Sequence, residues 1–262
     1  MTEGVTVSCA LELAKHPHAD NPTPVRHTML VAGDITRPQN LQGSSDYFSI
    51  APHGVANTHL DALCHIFRDG KMYNGFDQAE VTSVGARRNS IMSGKDGVVS
   101  RGVLLDIAAL HGVPYLELGT RITVEDLEAA EARQDVTVSE GDILLVLTGR
   151  DARREERGYW TSGIEGIAGL SVTCAPWIRE RGVAVMGCDG ITDAMPHQIE
   201  GWDTPMHQVL IVSMGIHLID NMQLGRLAAA CEERGRWEFL LTLAPLRLDQ
   251  GTASPVNPIA MF

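Results

Sequence analysis

His53-Gly-Val-Ala-Asn-Thr-His59-Leu-Asp61-Ala-Leu-Cys-His65 places three histidines and a carboxylate within thirteen residues, separated mainly by apolar side chains. Imidazole and carboxylate are the donors that bind zinc, manganese or ferrous iron. In an extended segment His59 and Asp61 point to one face, because side chains alternate along a strand. If the chain turns helical after Asp61, His65 follows at i+4 and lies above it. A strand running into a helix here therefore predicts that His59, Asp61 and His65 converge. Polar groups this dense between apolar neighbours need charge compensation, which favours a metal or catalytic site over a strand end with hydrogen-bonded histidines.

Moving outward, Ser44–Ile50 leans toward β structure and leads into the motif, with Tyr47 and Phe48 either walling a substrate pocket or sitting in the core. Continuous apolar runs predict buried strands over Val98–Ala108, Asp142–Leu147, Val183–Met186 and Phe239–Leu246. Thr123, followed by Glu125 and Asp126, is an N-cap with an acidic first turn, so Leu127–Arg133 is read as helix. Ser171–Arg181 is read as a second helix with Trp177 on its buried side, and Val5–Leu13 as a strand followed by a helical turn. Arg150–Arg157 reads as a solvated loop or helix face, Gly158–Gly169 as a loop able to cover a pocket, and Gly251–Pro258 as a turn-rich tail. Strands alternating with helices give an α/β layered fold.

The 262 residues suit a single domain spanning 1–262. Twenty-one basic against 33 acidic residues leave a net charge of −12, which argues against nucleic acid or an anionic membrane as partner. Cys9, Cys64, Cys174, Cys188 and Cys231 are scattered without a CxxC pair, an arrangement that fits a reducing cytoplasm. No basic-then-apolar leader or uncharged 18-residue apolar run is present, so neither a signal peptide nor a membrane span is expected.

Thr58-His59-Leu60-Asp61-Ala62-Leu63-Cys64-His65 resembles the signature of the cyclase-like metal-dependent hydrolases, His-x-Gly-Thr-His-x-Asp-x-x-x-His. That family includes bacterial kynurenine formamidase, isatin hydrolase and a trans-dienelactone hydrolase. Gly102–Asp106, Gly141–Gly149, Gly169–Ser171, Gly187–Asp189 and Gly251–Pro255 extend the resemblance in order along the chain. The resemblance implies a swivelling β/β/α-type fold with a mixed sheet and flanking helices, and a homodimer or homotetramer. The chain departs from the pattern at the family's first histidine, which is Val55 here, and at the glycine, which is Asn57. His53, six places before His59, is the candidate for the missing role.

Further ligands belong to Met206–Asn221. The resemblance places a histidine there and a glutamate further on. Asp220 is a shortened stand-in for the glutamate, or else a helix N-cap ahead of Met222–Cys231. Counting back from Asp220 by the usual interval falls on Gln208, with His207 beside it, and both stay open. His197 and His217 read as structural or surface residues.

With Zn²⁺ or Mn²⁺ on His59, Asp61 and His207, a bound water would titrate near about 7. His65 would then serve as general base and acid, assisted by Asp61. The expected reaction is hydrolysis of a small amide, cyclic amide or lactone. The alternatives are a metal-dependent lyase, cyclase or dehydratase and a non-catalytic metal-binding protein. No Gly-x-Ser-x-Gly elbow, P-loop or Gly-x-Gly-x-x-Gly after a strand occurs. Apolar neighbours make Cys64 an inert thiol.

Overall fold

Ile143–Leu147 is five consecutive buried aliphatic residues, as expected of a strand covered on both faces. In the computed structural model, which describes residues 3–34, 43–197 and 199–262, it lies at the centre of a nine-stranded mixed sheet. In chain order the strands are β1 (Thr6–Ser8), β2 (His59–Asp61), β3 (Val98–Asp106), β4 (Ile143–Leu147), β5 (Val185–Cys188), β6 (His217–Asp220), β7 (Glu238–Leu243), β8 (Ala253–Pro255) and β9 (Ile259–Met261). Across the sheet they run β1-β9-β7-β3-β4-β5-β6-β2-β8. The four central strands, β3 to β6, are parallel, and the flanking pairs are antiparallel.

Strand alternation divides the core in two. Ile143 and Leu145 face one cluster, in which Leu227 and Cys231 of helix α4 (Gly225–Arg234) are buried. Leu144 and Val146 face the other. There they join Leu127 and Ala130 of α1 (Val124–Gln134) and Trp177 and Ile178 of α3 (Ala175–Glu180). Helix α1 starts from the N-cap Thr123 that the sequence predicts, with a capping box to Asp126. Among the described residues no helix is long and apolar enough to cross a membrane.

Several expectations need correction. No helix follows Asp61; a single turn, closed by His65 N–H donating to Ala62 O, carries the chain to His65. Gly251–Pro258 is not only turns, because β8 lies within it and pairs with the motif strand β2. Only Thr6–Ser8 of Val5–Leu13 is regular, and the helix read over Ser171–Arg181 is a 3₁₀ turn followed by α3. Arg150–Arg157 is a helix, α2, but its first residue is buried rather than solvated. Tyr47 and Phe48 are not core aromatics. They are 58% and 51% exposed on a separate two-stranded hairpin of Arg26–Val31 and Ser45–Ser49.

Candidate metal centre

Sheet register places the first donors. β2 lies between β6 and β8, with His59 opposite Asp220 and Leu60 opposite Ile219. Leu60 enters the core cluster, while His59 and Asp61 share the opposite face. His59, Asp61 and Asp220 accordingly bring three ligand atoms within 4.8 Å of one another, all three residues buried. Asn57 O holds Nδ1 of His59 at 2.8 Å, leaving Nε2 3.4 Å from Asp61 Oδ1.

Asp61 also belongs to a second group of the same span, with His53 and His65. His53 Nδ1 is 3.0 Å and His65 Nε2 3.9 Å from Asp61 Oδ1. The loop carrying His53 is fastened from several sides. Asn221 Nδ2 donates to Gly54 O and Asn57 O, and Thr58 Oγ1 donates to Asn221 O. Arg150 and Arg154 both donate to Val55 O, at 2.8 and 3.1 Å. The position of the family's histidine is thus a backbone anchor, and His53 reaches the cluster with Nε2 against Thr252 Oγ1 at 3.0 Å.

His207 closes the arrangement. Asp193 accepts from the backbone N–H of Met206 and His207 and lies 2.6 Å from His207 Nδ1. This fixes the tautomer and frees Nε2, which is 3.2 Å from Asp220 Oδ2 and 3.6 Å from Asp61 Oδ2. Thr192 Oγ1 donates to the other oxygen of Asp220. The structure brings His207, not Gln208, against the carboxylates. The residues that follow, Gln208–Met214, form a π-helix. Asp220 is no N-cap: it ends β6, and α4 starts beyond it at Gly225. His217 is structural, its Nδ1 2.6 Å from Asp61 O.

The electrostatics are those of a cation site. Burial raises the pKa of Asp61, but the imidazoles of His207, His53, His59 and His65 hold it well below the ordinary carboxylate value. Burial lowers His207, yet Asp220, Asp193 and Asp61 carry it well above an ordinary imidazole. His59 is likewise lowered by burial and raised overall, chiefly by Asp61. His65 goes the other way. Burial, with repulsion from His53, His207 and His59, takes it to about 4 despite Asp61.

Both Asp61 oxygens and His53 Nδ1 are buried without a hydrogen-bond partner, although imidazole nitrogens stand close by. A buried carboxylate left without hydrogen bonds is costly, and imidazole nitrogens that crowd it without bonding it fit a shared divalent ion. A divalent metal ion suits the donor set of imidazole and carboxylate.

Sequence reading missed Asp193, Asn221, Arg150 and Asp20, whose roles depend on contacts across the fold. Arg150 donates to Asn221 Oδ1 and Val55 O and pairs with the buried Asp20 at 3.1 Å. Asp189, at the end of β5, accepts from the backbone N–H groups of Thr148, Gly149 and Arg150 and so caps α2. Tyr47 and Phe48 do not belong to the buried cluster. Burial raises Cys64 to about 11, which keeps the thiol protonated.

The Cyclase family model matches residues 10–193. No curated protein matches the chain. Among solved structures, a novel cyclase is 29% identical with a TM-score of 0.87, covering 100% of this chain and 88% of that one. Isatin hydrolase A from Ralstonia solanacearum is 19% identical with a TM-score of 0.70, covering 98% and 91%. A "predicted metal-dependent hydrolase" from Bacillus stearothermophilus is 16% identical with a TM-score of 0.59, covering 98% of each chain. With a family match over most of its length and the fold shared from end to end, this chain belongs to the cyclase family.

Proposed function

We propose that the chain is a metal-dependent hydrolase that opens a small amide, cyclic amide or lactone with water activated on a divalent ion, Zn²⁺ or Mn²⁺. The observation that carries this reading is the buried Asp61 carboxylate, both oxygens unbonded, ringed by His53, His59, His65 and His207. Asp61, His59, Asp220, His207 and His53 are the residues to hold the ion, with Gln208 set aside. When bound, the ion brings water toward a pKa of about 7 and polarises a carbonyl oxygen.

His65 is neutral at pH 7, because its pKa lies near about 4. It can take a proton from the attacking water and return it to the leaving nitrogen or oxygen. Asp61 orients the surrounding imidazoles, and Asp193 keeps His207 with Nε2 toward the reaction space. The hydrolase names of structural relatives support the reaction class. The unpaired, buried cysteines support a cytoplasmic setting, and the exposed Tyr47 and Phe48 support a homo-oligomer in which a second copy covers the hairpin and they come to line its pocket.

The test is metal content by mass spectrometry of the wild type and His59→Ala, with turnover in ¹⁸O-water. About one or two equivalents of zinc or manganese, lost in the variant, together with ¹⁸O in the product, is the expected result. Metal without ¹⁸O incorporation would instead favour the lyase reading, and no metal after reconstitution would remove the mechanism.

A further inference from the structure

Behind the segment that holds His207 lies a second cleft, of about 300 Å³. Its walls are Leu170, Val172, Ala194, Ile199 and Pro205, with Arg121, Ser171, Thr173 and His197 supplying the polar groups. Leu170 N–H donates to Thr192 O and Ala194 N–H to Leu170 O, so one wall is continuous with Asp193, the carboxylate beside His207. None of the four polar residues belongs to the metal cluster.

Each polar group has capacity left for a ligand. The carboxylate of Asp126, near Arg121 in the chain, is engaged by Thr123 N–H and His111, and that of Asp193 by Met206 and His207. Arg121 has no ion-pair partner among the described residues, in a chain with 33 acidic residues to supply one. Ser171 Oγ accepts from Thr173 N–H at 3.3 Å and from Thr173 Oγ1 at 2.8 Å, so its own proton is available to donate. His197 Nδ1 is buried without a partner, and such groups are ordinarily satisfied.

A guanidinium, a free hydroxyl proton and an imidazole nitrogen form a donor set for an anion. Five apolar wall residues ask for a ligand with a hydrocarbon body rather than a bare oxyanion. We propose that this cleft binds a small carboxylate carrying an apolar or aromatic body, at a site separate from the metal centre. Hydrolysis of an amide or lactone releases a carboxylate, so under the proposed function the occupant would be of the product's chemical class. The binding site itself does not depend on that reading.

The test is calorimetric titration of the full chain with benzoate and, separately, with inorganic phosphate. The protein is first stripped of metal with a chelator, which removes metal-centre binding from the signal. Wild type, Arg121→Gln and His197→Ala are compared, each checked for native circular dichroism. The expected result is saturable binding of benzoate at one site, weakened about tenfold or more by Arg121→Gln and less by His197→Ala. Phosphate should bind more weakly than benzoate. Benzoate binding that appears only with metal, or that Arg121→Gln leaves unchanged, would overturn the proposal. So would phosphate binding as tightly as benzoate, or no saturable binding up to about 10 mM. Metal content, measured in parallel on untreated samples, should be the same in wild type and Arg121→Gln; loss of metal in all samples would count against the proposed function and leave the cleft standing.

Discussion

His53 lies flat against His65, with ring centroids 3.7 Å apart and planes 14° from parallel. An imidazolium at His65 would face the His53 ring at this distance, which disfavours its charged form. Burial is the largest cause of the low pKa of His65, about 4 against an ordinary 6.5, and His53 adds to it. In metal-free protein the unfolded chain takes up this proton first. Stability should therefore fall as pH drops from 6.5 toward 4, by about 3 kcal/mol from this residue, and level off below. Urea unfolding of the wild type and His65→Gln across that range measures it, and a difference between them that does not change with pH would contradict the assignment.

Asp193 controls His207 from behind the cluster. Asp193→Asn removes the charge that opposes Nδ1 but leaves an acceptor in place, so metal affinity should fall about 10- to 100-fold. Competition with a chromogenic chelator reads this directly. Unchanged affinity would mean that His207 is not held for a metal.

Arg150 joins the histidine loop to Asp20. Arg150→Met leaves Asp20 buried with weaker partners, Arg154 at 3.4 Å and Ser162 Oγ at 2.9 Å. Removing one member of a buried pair costs about 3–5 kcal/mol. Denaturant titration should show a loss toward the lower end of that range, because Arg154 remains. Arg150→Lys should recover only part of it, since a single ammonium cannot reach Asp20, Asn221 and Val55 O together.

The hairpin of Arg26–Val31 and Ser45–Ser49 exposes Met29, Leu30, Tyr47 and Phe48. Two-stranded ribbons are marginal in water unless they pack on something. Sedimentation should show a dimer or tetramer for the wild type, and Tyr47→Asp with Phe48→Asp should shift it toward monomer. A monomeric wild type would dispose of this expectation.

The motif strand and its donors were legible because alternation is local: His59 and Asp61 two apart must share a face, and Asp61 and His65 need only one turn between them. The central strands were legible as unbroken aliphatic runs, such as Ile143–Leu147. Register across the fold was not. Nothing near His207 reveals that Asp193 reaches its ring, and nothing in Arg150–Arg157 shows that its first guanidinium is buried against Asp20 while the rest of the helix is more open. The choice between His207 and Gln208 depended on Asp61, Asp193 and Asp220, which meet the His207 ring from distant parts of the chain. The tail was misread because Ala253–Pro255 is too short to show a pattern and owes its strand geometry to β2.

That pairing gives the site a place in time. β2 is held on one side by β6 and on the other by β8, both of them far later in the chain. During synthesis the histidine loop emerges well before the strand that flanks it and before Thr252, which meets His53 across 199 residues of chain. Contacts of such long sequence separation form slowly. A ribosome-tethered chain stopped short of Thr252 should therefore carry every donor of the centre and still fail to assemble it.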